Sequence, residues 1–179
     1  MEQNEPTNQN MVFFRHRAEL GRFFVLMDSD VVVANDNHCW LTELIQLAET
    51  YPKLGVLGSF VDQADFVDLD VAKNILPDLS DRELVDLVKA DSPERRLVES
   101  KERVTQPFFP PGRLLLLRSE IFRDSGLPIG TVRICRRVLQ AGFQHGIATN
   151  VRHRHLSFQN VFDYPEYDYG QLRNYLRVA

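Results

Sequence analysis

Between Phe23 and Val33 the chain reads FFVLMDSDVVV: an apolar run rich in strand formers breaks at Asp28-Ser29-Asp30 and resumes at once. Charged side chains are seldom buried unless paired, so the run must reach a surface at that point. Residues 22–28 show no alternation of polar and apolar positions before the break, the pattern of a strand buried on both faces in a parallel sheet. Residues 38–51, HCWLTELIQLAETY, then place Trp40, Leu41, Leu44, Leu47, Ala48 and Tyr51 at helical spacing, with Asn35, Asp36 or Asn37 as cap and Pro52 past the end. GVLGSFV, residues 55–61, reads as the next strand. Strand, helix, strand in this order predicts an α/β fold with a right-handed parallel crossover.

A chain of 179 residues fits one domain with a real core. Its net charge of −4, from 21 basic and 25 acidic side chains, argues against nucleic-acid binding driven by bulk charge. Cys39 and Cys135 are far apart and in no metal-type spacing, which points to a reducing compartment and no disulfide framework. Both fall on helical segments with apolar neighbours and are expected to pack as small hydrophobes. The N-terminal MEQNEPTNQN is polar and is no signal peptide, and no apolar run approaches the roughly 20 residues that span a bilayer. The expectation is a cytoplasmic chain with no transmembrane segment.

Along the chain, residues 1–10 are expected to be disordered, and residues 11–20, MVFFRHRAEL, to form a short helix closed by Gly21. Residues 62–106 are charged and read as a helical insertion or lid. Within them Ser80-Asp81-Arg82-Glu83 is a capping box with Leu79 as its hydrophobic staple, and Ser92-Pro93 starts a second helix. PFFPPGRLLLLRSEIF, residues 107–122, delivers the chain through a Pro-rich turn into a strand over 114–117. A helix is predicted over 131–141 with Thr131 as cap and Gly142 after its end, then an extended stretch over 146–156 and a terminal helix over 168–179.

In open α/β sheets, ligands bind beyond the carboxyl ends of parallel strands, which is where Asp28 and Asp30 fall. Oxygen ligands on a short turning segment suit Mg²⁺ or Mn²⁺, an ion that keeps one or two protein carboxylates and completes its shell from substrate phosphates. The plainer alternative is a pair of loop aspartates that cap the following helix. His153 and His155 lie two apart in VRHRHLS and share one face of a strand. Either would complete such a site with an imidazole; the alternative is a solvent-facing or hydrogen-bonded pair.

These stretches, with GLP at 126–128, ICRRVLQAGF at 134–143 and a late-strand histidine, come in the order found in family 2-like glycosyltransferases of the GT-A fold, which residues 10 to 160 resemble. The resemblance implies a partial GT-A-like mixed sheet flanked by helices in a single domain over 1–179. It implies transfer from a nucleoside-diphosphate sugar, with Asp28, Ser29 and Asp30 at the donor, Mn²⁺ or Mg²⁺ on Asp28 and Asp30, and His155 (His153 as the alternative) as third ligand. It also implies an acceptor pocket near residues 110–131. The family's acidic pair after GLP is replaced by Gly130 and Thr131; Asp124, with Glu120 behind it, is the nearest acidic substitute for a general base. The chain starts at about the helix before the D-x-D strand, so the strands that hold base and ribose in the family are absent from it. That leads to two expectations: self-association or a partner chain, and, as the alternative function, a non-catalytic module that binds metal, nucleotide or a protein.

Overall fold

The computed structural model describes residues 7–29, 31–33, 39–63, 66–88, 90, 95, 101–106 and 109–155. Its elements are α1 (Thr7–His16), β1 (Phe23–Met27), β2 (Val31–Val33), α2 (Trp40–Thr50), β3 (Leu54–Val61), α3 (Leu69–Ile75), α4 (Asp81–Leu87), β4 (Val104–Thr105), β5 (Leu114–Arg118), α5 (Thr131–Gln140) and β6 (Gln144–His155). The fold is α/β: one mixed sheet in the order β1-β5-β3-β6-β2, with β4 added against β6. No helix among the described residues is long and apolar enough to cross a membrane.

Four consecutive leucines explain why β5 lies inside the sheet. Side chains alternate across a strand, so Leu115 and Leu117 enter one core with Phe13, Val56, Ile134 and Val138. Leu114 and Leu116 enter the other, with Leu44, Leu47, Leu57 and Val151. Helices α1 and α5 cover the first face and α2 the second. At Gly55 an added Cβ would come within 2.6–2.8 Å of Ile121, Phe143 and Val138, so β3 requires glycine where these side chains close over it.

Strand β5 is antiparallel to both β1 and β3, and β3 is parallel to β6. Strands β1, β3 and β6 therefore share one direction. The expected parallel relation between β1 and β3 holds, but β5 lies between them, because a strand formed later in the chain can insert between two earlier ones. Among the described residues strand β1 is consequently an edge. Phe23 through Leu26 are half-buried, where the sequence pattern predicts a strand enclosed on all sides.

Other boundaries also differ. Helix α1 starts at Thr7 and stops at His16, ahead of the expected 11–20; Phe13 anchors it with its ring 5.3 Å from that of Phe24. Residues 1–6 and Asn35, Asp36 and Asn37 lie outside the described residues, and the N-cap of α2 is Cys39. Cys39 is exposed rather than packed, whereas Cys135 is buried. In the 62–106 segment, α3 and α4 close over a small core of their own, Ala72, Leu76, Leu84, Leu87 and Val88. Helix α4 opens with the expected capping box: the Glu83 N–H donates to Ser80 Oγ at 3.3 Å, and the Ser80 N–H donates to Glu83 Oε2 at 2.8 Å. Leu79 packs on that small core. Helix α3 carries too short an apolar pattern to be read from sequence, and the segment returns to the main sheet through β4. The helix starts expected at Ser92-Pro93 and at residue 168 lie outside the described residues.

One side chain ties the layers together. Arg118, at the end of β5, is 4% exposed. Its Nε donates to Leu54 O at 3.2 Å, and its Nη2 donates to Ala48 O at 3.3 Å and Pro52 O at 3.2 Å. The guanidinium lies 5.1 Å from the Phe23 ring centre and 5.5 Å from that of Phe143, a distance at which a cation is drawn to an aromatic face. Burial, and after it the neighbouring Arg22, lower its pKa.

Two predictions follow from this packing. Arg118→Met leaves three inward carbonyls without their donor and is expected to cost about 3 kcal/mol in urea unfolding. Arg118→Lys recovers only part of that, because an ammonium lacks the planar fork. Backbone and side-chain hydrogen bonds from Thr42 lower the Cys39 pKa, whereas burial raises that of Cys135 to about 11. Iodoacetamide at pH 8 is therefore expected to alkylate Cys39 in the native protein and to reach Cys135 only after unfolding, as read by peptide mass spectrometry.

Candidate functional site

Strand direction decides where the chemistry gathers. The carboxyl ends of β1, β3 and β6 lie along one edge of the sheet. Strand β5 runs the other way, so the residue before it joins the same edge. Asp28 after β1, Arg113 before β5, Asp62 after β3 and the last residues of β6 are thereby collected. The Asp62 N–H donates to His153 O at 2.9 Å, which joins β3 to β6 there.

Asp28 is held twice by its neighbour. Its N–H donates to Arg113 O at 2.9 Å, and its carboxylate lies 3.3 Å from Arg113 Nη1. The side chains are 37% and 34% exposed, respectively, so solvent and ions reach both. Asp28 O accepts from the Val31 N–H at 3.3 Å, which turns the chain at the D-S-D segment. Ser29 is exposed within that turn. Asp30 lies outside the described residues.

The chain then joins β2, at the far end of the strand order. A flat sheet would separate β1 and β2 by roughly 19 Å, yet the steps from Met27 to Val31 span at most about 14 Å of extended chain. The sheet must curl at its carboxyl end, and β6 makes it curl. Pairing with β3 jumps from Ser59↔Ala148 to Phe60↔Arg152, so Thr149, Asn150 and Val151 form a bulge that bends the strand. Thr149 fastens the bulge through Oγ1 to Glu102 O at 2.7 Å, and the Asn150 amide does so through Glu43 Oε1 at 2.6 Å. Beyond the bulge, β2 pairs with β6 in the register Val31↔His155 and Val33↔His153. Residue 155 thus comes to lie across from the first residue after the D-S-D segment.

His153 is fully buried, with Nδ1 2.7 Å from the equally buried Ser59 Oγ. It is part of the sheet interior, fixed by β3. His155 ends β6, and its side chain lies outside the described residues.

The two acidic residues considered for base catalysis are not brought to this edge. Glu120 follows the far end of β5, is 63% exposed, and lies 3.7 Å from Arg118. Asp124 is exposed in the next turn, and the adjacent Arg123 donates to Leu20 O at 3.2 Å, ahead of β1. Both belong to the amino edge of the sheet. Thr131 does reach the carboxyl edge. A Cβ at Gly112 would stand 2.0 Å from Thr131 Oγ1, so the turn before β5 presses on the first residue of α5. The N-cap is Gly130, at φ 85°, in place of the expected Thr131.

Arg113 is the residue that sequence reading passed over. Its only signal was a cation immediately after Pro110-Pro111-Gly112 and before four leucines; its partner lies 85 residues away in the chain. Among the described residues, no three of His, Cys, Asp and Glu come together to hold a metal ion. The sequence matches no family model and no curated protein.

Proposed function

We propose that the carboxyl edge of the sheet binds the diphosphate of a nucleoside-diphosphate sugar with one Mn²⁺ or Mg²⁺ ion, and that the chain is a glycosyltransferase resembling family 2. The observation that carries this reading is the placement of residue 155 opposite Val31 while Asp28 turns at the end of β1 beside Arg113. A carboxylate, a cation and a histidine position then border one short segment at the usual ligand edge. The donor chemistry fits a hard cation delivered with phosphate, because Mg²⁺ and Mn²⁺ take few protein oxygens and draw the rest from substrate. Asp28 and Asp30 would hold the ion, with His155 beside them. When bound, the ion supplies Lewis-acid stabilisation of the departing diphosphate. Arg113 would pair with the phosphate oxygens, with Asp28 holding its guanidinium in place until then.

A second reading is a module that binds metal and diphosphate without transfer. It is favoured by the position of Glu120 and Asp124 at the opposite edge, which leaves the acceptor proton without either of them as base.

Calorimetry tests the binding. Mn²⁺ alone is expected to bind weakly, and pyrophosphate to tighten it. Asp28→Asn should weaken Mn²⁺-pyrophosphate binding about tenfold by removing an anionic ligand. Arg113→Gln should act in opposite directions on the two ligands: Mn²⁺ alone binds more tightly, because Asp28 loses its counter-ion, and pyrophosphate binds less tightly. If Mn²⁺ and pyrophosphate bind equally well to the parent and to Asp28→Asn, the proposal fails. Diphosphate release in a nucleotide-sugar screen then separates transfer from binding alone: steady turnover selects the enzyme, and binding without turnover selects the module.

A further inference from the structure

Helix α5 lies on the sheet by Ile134, Cys135 and Val138, which are buried. Its other side carries Val132, Arg133, Arg136 and Leu139, all exposed. Val132 and Leu139 are 43% and 49% exposed. Seven residues make about two turns, so these two aliphatic side chains lie on one line down the helix. Arg136 falls between them, one turn from each. Neither Arg133 nor Arg136 takes part in an ion pair among the described residues.

The patch continues beyond the helix. Ile129, two residues before Thr131, is 47% exposed. Phe14 of α1 is equally exposed and lies against Gly126, where an added Cβ would stand 2.7 Å from its ring. Arg17 places its guanidinium 5.5 Å from the centre of that ring. Apolar side chains are thus interleaved with cations. The whole chain has a net charge of −4, yet its sequence holds no acidic residue between Asp124 and Asp163 and none between Glu5 and Glu19. The carboxylates that border the patch belong to the amino edge. Glu19 lies 3.1 Å from His16, Glu120 lies 3.7 Å from Arg118, and Asp124 is exposed in the turn before Gly126.

We infer that the outer side of α5, with Ile129 and Phe14 beside it, docks on an anionic lipid surface. Charge complementarity fixes the sign of the partner, and the interleaved apolar groups fix its class. Anionic headgroups meet the guanidinium groups, while the carbon stems of the arginines and the aliphatic side chains enter the boundary beneath the headgroups. A nucleic acid rewards cations and stacking rings, and it would leave Ile129, Val132 and Leu139 without a partner. Each arginine near an anionic surface contributes about fivefold in affinity. A few such residues with a few aliphatic side chains give reversible, salt-dependent attachment rather than a permanent anchor.

Co-sedimentation of the whole chain with lipid vesicles is the test. Phosphatidylcholine vesicles containing about 30% phosphatidylserine are expected to bind the protein at about 0.1 M salt and to release it at about 1 M, where screening shortens the reach of charge to roughly 3 Å. Vesicles of phosphatidylcholine alone should bind little. Arg133→Gln combined with Arg136→Gln should weaken binding about twentyfold, whereas Arg133→Lys with Arg136→Lys should retain it. Val132→Ser with Leu139→Ser should weaken it about tenfold and leave the salt dependence in place. All four positions are exposed, and circular dichroism checks that each variant is folded. Polyuridylate at equal phosphate concentration should not displace the protein from the vesicles. Failure to bind phosphatidylserine vesicles at low salt overturns the inference. So does binding that the arginine-to-glutamine pair leaves unchanged, which places the contact elsewhere. Binding that ignores the aliphatic pair, or that polyuridylate reverses, also overturns it and makes the face a site for polyanions.

Discussion

The layers of this protein are joined through one buried cation. Arg118 ends the central strand β5 and donates to carbonyls from the last turn of α2, the loop after it and the start of β3. These oxygens are what a helix end and a loop leave unbonded. A neutral side chain would satisfy at most one or two of them; a guanidinium carries five donors in a fixed plane. The rings of Phe23 and Phe143 close over it from β1 and from the approach to β6. Burying a charge is costly unless it is bonded on all sides, so the surroundings of Arg118 must assemble together. That requirement couples β1, α2, β3, β5 and the start of β6 into one unit.

With the amino edge closed in this way, the ionic pair of Asp28 and Arg113 stands at the carboxyl edge. The bulge in β6 bends the strand, and the bend brings β2 within reach of β1 through one short segment. Asp28 is placed by the backbone bond to Arg113 as much as by its own side chain. The arrangement separates two demands that often conflict. Rigidity comes from the amino edge, and the ionic groups at the carboxyl edge keep about a third of their surface in water.

The candidate site was legible in the sequence only where chemistry interrupts an apolar run. Asp28 announced itself because two carboxylates in FFVLMDSDVVV have no place in a core. His153 stood as the alternative to His155, and it proved to be an interior residue bonded to Ser59. Spacing by two places both on one strand face and does not say where the sheet closes over it. Glu120 and Asp124 were near Thr131 in sequence, but β5 carries the chain to the other edge before them. Arg113 was overlooked because a single cation beside a turn has an ordinary surface meaning until its carboxylate partner is known.

The α/β class, the helix over Trp40–Thr50, the strands on either side of it and the capping box at Ser80 follow from the sequence by itself, since each depends on local periodicity or on contacts within a single turn. The end of β1 at Asp28 belongs with them, because the desolvation of charge forces it. Tertiary structure decided the rest. It inserted β5 between two earlier strands, made β1 an edge among the described residues, curled the sheet through the β6 bulge and gave Asp28 its partner in Arg113. Each of these depends on residues tens of positions apart, and a one-dimensional pattern records which faces are apolar without recording which neighbour will cover them.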